Sequence, residues 1–109
     1  MSKEKFNILV ISSEFNEGIV NNLYLGVKKC FENKNMLANI NEIKVPGAFE
    51  LPYMAKQALD NYKNIDCIIT LGCVIKGETA HFEFISSACA NSIAQLTLQS
   101  KVPIMFGVI

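Results

Sequence analysis

A single histidine, His81, closes the run Gly72-Cys73-Val74-Ile75-Lys76-Gly77-Glu78-Thr79-Ala80-His81. Imidazole exchanges a proton near neutral pH without large perturbation, so His81 suits general acid/base work. Gly77 allows close backbone approach to a ligand and Thr79 adds a hydroxyl. Gly77, Glu78 and Thr79 therefore form a candidate phosphate turn. Plainer uses stay open at this point: a histidine that decorates a helix start, and an ordinary strand-to-helix turn. The run has neither a Walker A pattern nor GxGxxG spacing, which disfavours a nucleoside triphosphate or a dinucleotide. Lys76 reads as a solvated loop lysine. Phe15 lies in the polar loop Ser13-Glu14-Phe15-Asn16. It can stack on a flat heterocycle or staple the helix that follows. Glu50 can accept hydrogen bonds from substrate hydroxyls or ring N–H groups, and its charge also suits a helix start. Phe106 reads as a core or interface aromatic.

These residues must be held by alternating strands and helices. Phe6 to Ser12 is an apolar run suited to a first strand. Ile19, Val20, Leu23, Val27 and Cys30 mark one face of a first helix, with Asn16 as candidate cap. Leu37 to Val45 has the mixed polarity of an edge strand, broken by Pro46-Gly47-Ala48. Leu51, Met54, Ala55, Ala58 and Leu59 mark a second helix, with Pro52 tolerated in its first turn. Ile65 to Cys73 reads as a third strand and Thr79 to about Ser100 as a third helix. That helix carries Phe82, Ile85, Cys89, Ile93 and Leu96 on one face, and Val102 to Ile109 reads as a fourth strand. Such alternation predicts an α/β fold: a three-layer α/β/α sandwich on a parallel four-stranded sheet of order 2-1-3-4, flavodoxin-like. The first helix then covers one face alone. That half-covered sheet, and a last strand with no helix behind it, predict a fragment of a longer chain or a partner on that face. Ligands in such sheets bind at the carboxyl ends of the strands, where Ser13–Asn16, Pro46–Glu50 and Cys73–His81 all fall.

With 109 residues, the chain is expected to form one domain over 1–109. A formal net charge of zero argues against nucleic-acid binding by bulk electrostatics. All ten basic residues are lysine, so any phosphate must be held by backbone N–H groups, hydroxyls, lysine or a group from elsewhere. Cys30, Cys67, Cys73 and Cys89 form no CxxC pair. They read as reduced, buried cysteines of a cytoplasmic protein, with no metal site and no cofactor expected. The short charged start lacks the apolar core of a signal peptide.

Taken together, the loops resemble the lumazine synthase family. The segments that carry the resemblance are Glu14-Phe15-Asn16, Val45-Pro46-Gly47-Ala48-Phe49-Glu50-Leu51-Pro52, Leu71 to Glu83, and Val102 to Ile109, in that order along the chain. The resemblance implies a transferase of riboflavin biosynthesis. Such an enzyme condenses 5-amino-6-ribitylamino-uracil with 3,4-dihydroxy-2-butanone 4-phosphate. It implies Phe15 as the stacking aromatic, Asn16 beside the ribityl chain, and Ala48, Phe49 and Glu50 as the ribityl turn. It further implies Cys73, Val74 and Ile75 as the segment reading the pyrimidine edge, Gly77, Glu78 and Thr79 as the phosphate turn, and His81 as the proton-transfer group. Phe106 would be an aromatic supplied across a subunit interface. A homopentamer or a 60-subunit shell is implied as the assembly. Glu14 and Lys76 stand where the family commonly has arginine. The family's C-terminal helices, with a phosphate-binding arginine, are absent from the sequence, so this chain is expected to be weakly active or inactive alone. The alternatives are a non-catalytic flavodoxin-like ligand-binding module and a shell-forming structural homologue.

Overall fold

A computed structural model describes residues 5–76 and 81–109. Four strands run parallel in the order β2-β1-β3-β4. They are β1 (Phe6–Ser13), β2 (Ala38–Val45), β3 (Cys67–Gly72) and β4 (Ile104–Val108). Three helices alternate with them: α1 (Glu17–Asn33), α2 (Leu51–Asn61) and α3 (His81–Gln99). The expected fold and strand order hold. β2 is an edge strand, as its polarity suggested. Strand β3 is shorter than the apolar run that announced it. Asp66 precedes it and pins it to β1, where its carboxylate accepts from the Asn7 N–H at 2.7 Å and its N–H donates to the Asn7 carbonyl at 2.8 Å.

Side chains alternate across a strand, so β1 feeds both faces. Leu9 and Ile11 point into a core closed by Leu51, Ala55 and Ala58 of α2 and by Cys89 and Ile93 of α3. Ile8 and Val10 point the other way, against Val20 and the part-buried Leu23, Tyr24, Val27 and Phe31 of α1. Leu51, Val20, Val10, Ile11 and Ile68 are fully buried, each worth about 1.5–3 kcal/mol in transfer terms. The buried hydroxyl of Thr70 is satisfied by donating to the Met105 carbonyl at 2.9 Å.

Two positions expected on the packed face of α1 are corrected, and Ile19 is the first: it is exposed, one residue before the buried repeat begins at Val20. Cys30 is exposed, because the helical repeat from Val20 through Leu23, Tyr24 and Val27 arrives at Phe31 and leaves Cys30 on the outer side. Asn16 occupies the cap position in left-handed backbone (φ 57°), but its side chain makes no capping hydrogen bond. Its carbonyl instead accepts from the N–H groups of Ile19 and Val20, at 3.0 and 3.1 Å. Of the four cysteines, only Cys73 and Cys89 are buried. Burial pushes the Cys89 thiol up to about 11, and burial together with the Asp66 carboxylate raises that of Cys67.

Candidate active site

The backbone ladder does not stop where the strands end. Beyond β1, the Glu14 N–H donates to the Val45 carbonyl at 2.8 Å and the Phe15 N–H to the Pro46 carbonyl at 3.2 Å. Beyond β3, the Val74 N–H donates to the Ile109 carbonyl at 2.8 Å, while the Ile109 N–H reaches the Gly72 carbonyl at 3.1 Å. Each loop that carries a candidate residue is therefore tied to its neighbour by main-chain bonds. Between them, at the carboxyl ends of β1, β2 and β3, lies a cavity of about 650 Å³.

Eight of the residues expected in the site line this cavity. Phe15 comes from the loop after β1. Ala48, Phe49 and Glu50 come from a 3₁₀ turn after β2, which leads without a break into α2. Cys73, Val74 and Ile75 follow β3, and His81 is the first residue of α3. Pro52 sits in the first turn of α2, where its missing N–H costs nothing. The turn at Ala48–Glu50 is closed by the Glu50 N–H donating to the Gly47 carbonyl at 3.1 Å. Glu50 folds its carboxylate back over Gly47, where a Cβ would come within 3.3 Å of Oε1. Floor packing is also tight: a Cβ on Gly72 would lie 3.2 Å from Leu51 Cδ1 and 3.3 Å from Ser13 Oγ.

Two expected residues are not brought to the cavity. Asn16 follows Phe15 but does not line it, and Asn16 Nδ2 is buried with no hydrogen-bond partner. Phe106 lies on β4, half exposed, outside the lining. Gly77, Glu78 and Thr79 lie outside the described residues. Conversely, Phe84 lines the cavity and was not anticipated. It is off the α3 core stripe of Ile85, Cys89 and Ile93, and only its adjacency to Phe82 could have drawn notice.

The lining is chiefly aromatic and aliphatic. Phe15, Phe49, Phe82 and Phe84 supply rings, and Glu50 and His81 supply the ionisable polarity, with the Cys73 thiol beside them. Apolar walls with a few convergent polar groups suit a flat, partly polar organic molecule. Glu50 can accept hydrogen bonds from such a molecule, and His81 can move protons on it. No group of three or more histidine, cysteine, aspartate or glutamate residues suited to a metal ion occurs among the described residues.

The model of the 6,7-dimethyl-8-ribityllumazine synthase family matches residues 5–109. The chain belongs to that family. It is 38% identical over 106 residues to a 6,7-dimethyl-8-ribityllumazine synthase of Thermococcus kodakarensis, covering 97% of this chain and 67% of the relative. Synthases of Leuconostoc mesenteroides and Limosilactobacillus reuteri are 41% and 40% identical, with 94% and 96% of this chain covered. The matches span 65% and 71% of those two proteins, so the chain covers about two thirds of the length of such relatives. The family resemblance carried by the four sequence segments is thereby met, and lumazine synthases are transferases of riboflavin biosynthesis.

Proposed function

We propose that the chain carries the residues that bind 5-amino-6-ribitylamino-uracil and 3,4-dihydroxy-2-butanone 4-phosphate and condense them, releasing phosphate and water. One observation carries this reading. Phe15, Glu50 and His81, drawn from three separate loops, line a single cavity at one end of the sheet. Phe15 stacks on the pyrimidine. Glu50, with Ala48 and Phe49, receives the ribityl chain, and the segment Cys73–Ile75 offers backbone groups to the pyrimidine edge. Asn16 contributes from the same loop as Phe15, and Gly77, Glu78 and Thr79 take the phosphate.

The chemistry asks for proton movement rather than redox change. An amine attacks a ketone, water leaves to give an imine, phosphate is eliminated, and the second amine closes the ring on the remaining carbonyl with loss of a second water. Each step moves a proton near the reacting carbons, and His81 is the histidine available to do so. Holding both reactants together supplies much of the remaining acceleration. The reaction runs in the cytoplasm without a further cofactor.

A homopentamer or a 60-subunit shell is the assembly that fits. Met105 and Phe106 of β4 and Ile109 after it are each about half exposed or more. Phe84 and Leu98 on α3 are more exposed still. Phe106 then serves a neighbour's site, and its half-exposed ring on edge strand β4 supports that reading. No helix among the described residues is long and apolar enough to cross a membrane.

The test replaces His81 by Ala and measures condensation rate and affinity for a ribitylated pyrimidine separately. Turnover is expected to fall by roughly 10²–10⁴-fold with affinity nearly kept. Equal losses in both, or no loss of rate, would overturn the assignment.

A further inference from the structure

Glutamate is a poor strand former, yet Glu42 lies in the middle of β2. It shares a face with Ala38 and Ile40, both packed against the core under α1. Its carboxylate is used: the fully buried Ser12 hydroxyl donates to Glu42 Oε2 at 2.7 Å. Two residues on, Lys44 reaches α1, with Nζ 3.2 Å from Asn21 Oδ1 and 3.6 Å from Glu17 Oε1. Edge strand β2 thus grips the chain just before the Phe15 loop, at Ser12, and just after it, at the first turns of α1. Between those grips, the N–H groups of Glu14 and Phe15 bond to the carbonyls of Val45 and Pro46. Pro46 leads directly into the turn that carries Phe49 and Glu50.

We propose that Glu42 is a positioning residue that lies outside the cavity. Through Ser12 it fixes the end of β1, and so sets where Phe15 stands relative to the Ala48–Glu50 turn. The two ends of the grip differ in weight. The Lys44 pair is largely solvent-exposed and contributes little. The Ser12–Glu42 bond joins a buried hydroxyl to a charged acceptor. Removing the acceptor leaves Ser12 Oγ orphaned at zero exposure. The loosening this causes falls on the last rungs of the ladder, next to the main-chain bonds of Glu14 and Phe15.

The consequence for substrate rests on the function proposed above; the consequence for the backbone does not. The experiment therefore has two arms, both on the full chain, with Glu42→Ala, Ser12→Ala and Glu42→Gln. In the first, amide hydrogen exchange is followed at Glu14 and Phe15 and, as internal reference, at Val10 and Ile11. Glu42→Ala and Ser12→Ala are expected to speed exchange at Glu14 and Phe15 by about tenfold, the size of a lost bond to a charged group. Val10 and Ile11 should hold. Glu42→Gln, which keeps an oxygen for Ser12, should restore protection. In the second arm, KM for the ribitylated pyrimidine should rise in Glu42→Ala while KM for the butanone phosphate stays put. Unchanged exchange at Glu14 and Phe15, or equal acceleration throughout β1, would overturn the proposal, as would a Gln variant that behaves like Ala. Should the unsubstituted chain neither bind nor turn over the pyrimidine, the function proposed above fails, and the exchange arm alone decides the role of Glu42.

Discussion

The two faces of the sheet are built unequally. Under α2 and α3, a continuous core runs from Leu9 and Ile11 through Leu51 and Ala55 to Cys89, Ile93 and Ile104. Under α1, the buried set is confined to Ile8, Val10, Val20, Leu71 and Cys73. The same side of β4 leaves Met105 half exposed beside its register partner Ile69. The cavity opens at the end of the better-filled face, where α3 and the 3₁₀ turn meet. The thinner face carries the polar grip of Glu42 and Lys44 on the Phe15 loop. Labour is divided between the faces: one supports the walls of the site by packing, while the other aims a single loop by hydrogen bonds.

That contrast can be broken most directly in the cores. Leu51→Ala removes a fully buried side chain from the dense face and should cost about 3–5 kcal/mol in urea unfolding. Val20→Ala on the thinner face should cost about 2 kcal/mol, and a reversed order would refute the inequality. Next in size is Gly107→Ala. An added Cβ would meet Leu71 Cδ2 and the Thr70 carbonyl oxygen, each at 2.9 Å. The backbone of β3 cannot yield as a side-chain tip can, so a loss of about 1–3 kcal/mol is expected. An unchanged denaturation midpoint would show that β4 sits loosely on its neighbour.

The buried thiol of Cys89 gives a pH test of the dense face. Its folded value is raised from 9.0 to about 11 by burial. The folded chain therefore keeps its proton while the unfolded chain releases it. This contribution to stability is intact below pH 9 and is lost as pH rises toward 11. Cys89→Ala should flatten that alkaline decline when urea unfolding is followed across the same pH range. The smallest effect is a gain. Gly26 is inside α1 with open space where a Cβ would stand, so Gly26→Ala should raise stability by roughly 0.5–1 kcal/mol. A loss there, seen by thermal melting, would mean that the outer side of α1 packs against something.

Much of this was legible from residue patterns. Apolar runs at Phe6–Ser12 and around Ile68 announced buried strands, and the stripe of Leu51, Ala55 and Ala58 announced α2. In each case, burial on a regular lattice forces a period onto the residues. Strand–helix alternation then confined the site to the loops after β1, β2 and β3. The α1 stripe leaves its expected course at Cys30 because a three-residue and a four-residue step are equally helical, and Phe31 fills the turn. Phe84 escaped notice because it breaks the core period of its own helix.

The sequence alone determined the order of elements and the loops that could bear chemistry, since both follow from local periodicity and its interruptions. The meeting of Phe15, Glu50 and His81 around one cavity was decided only in three dimensions, as was the exclusion of Phe106 from it. So was the pairing of Ser12 with Glu42, residues thirty positions apart. Such contacts depend on strand register and on which loop bonds to which, and no spacing along a single chain encodes those distances.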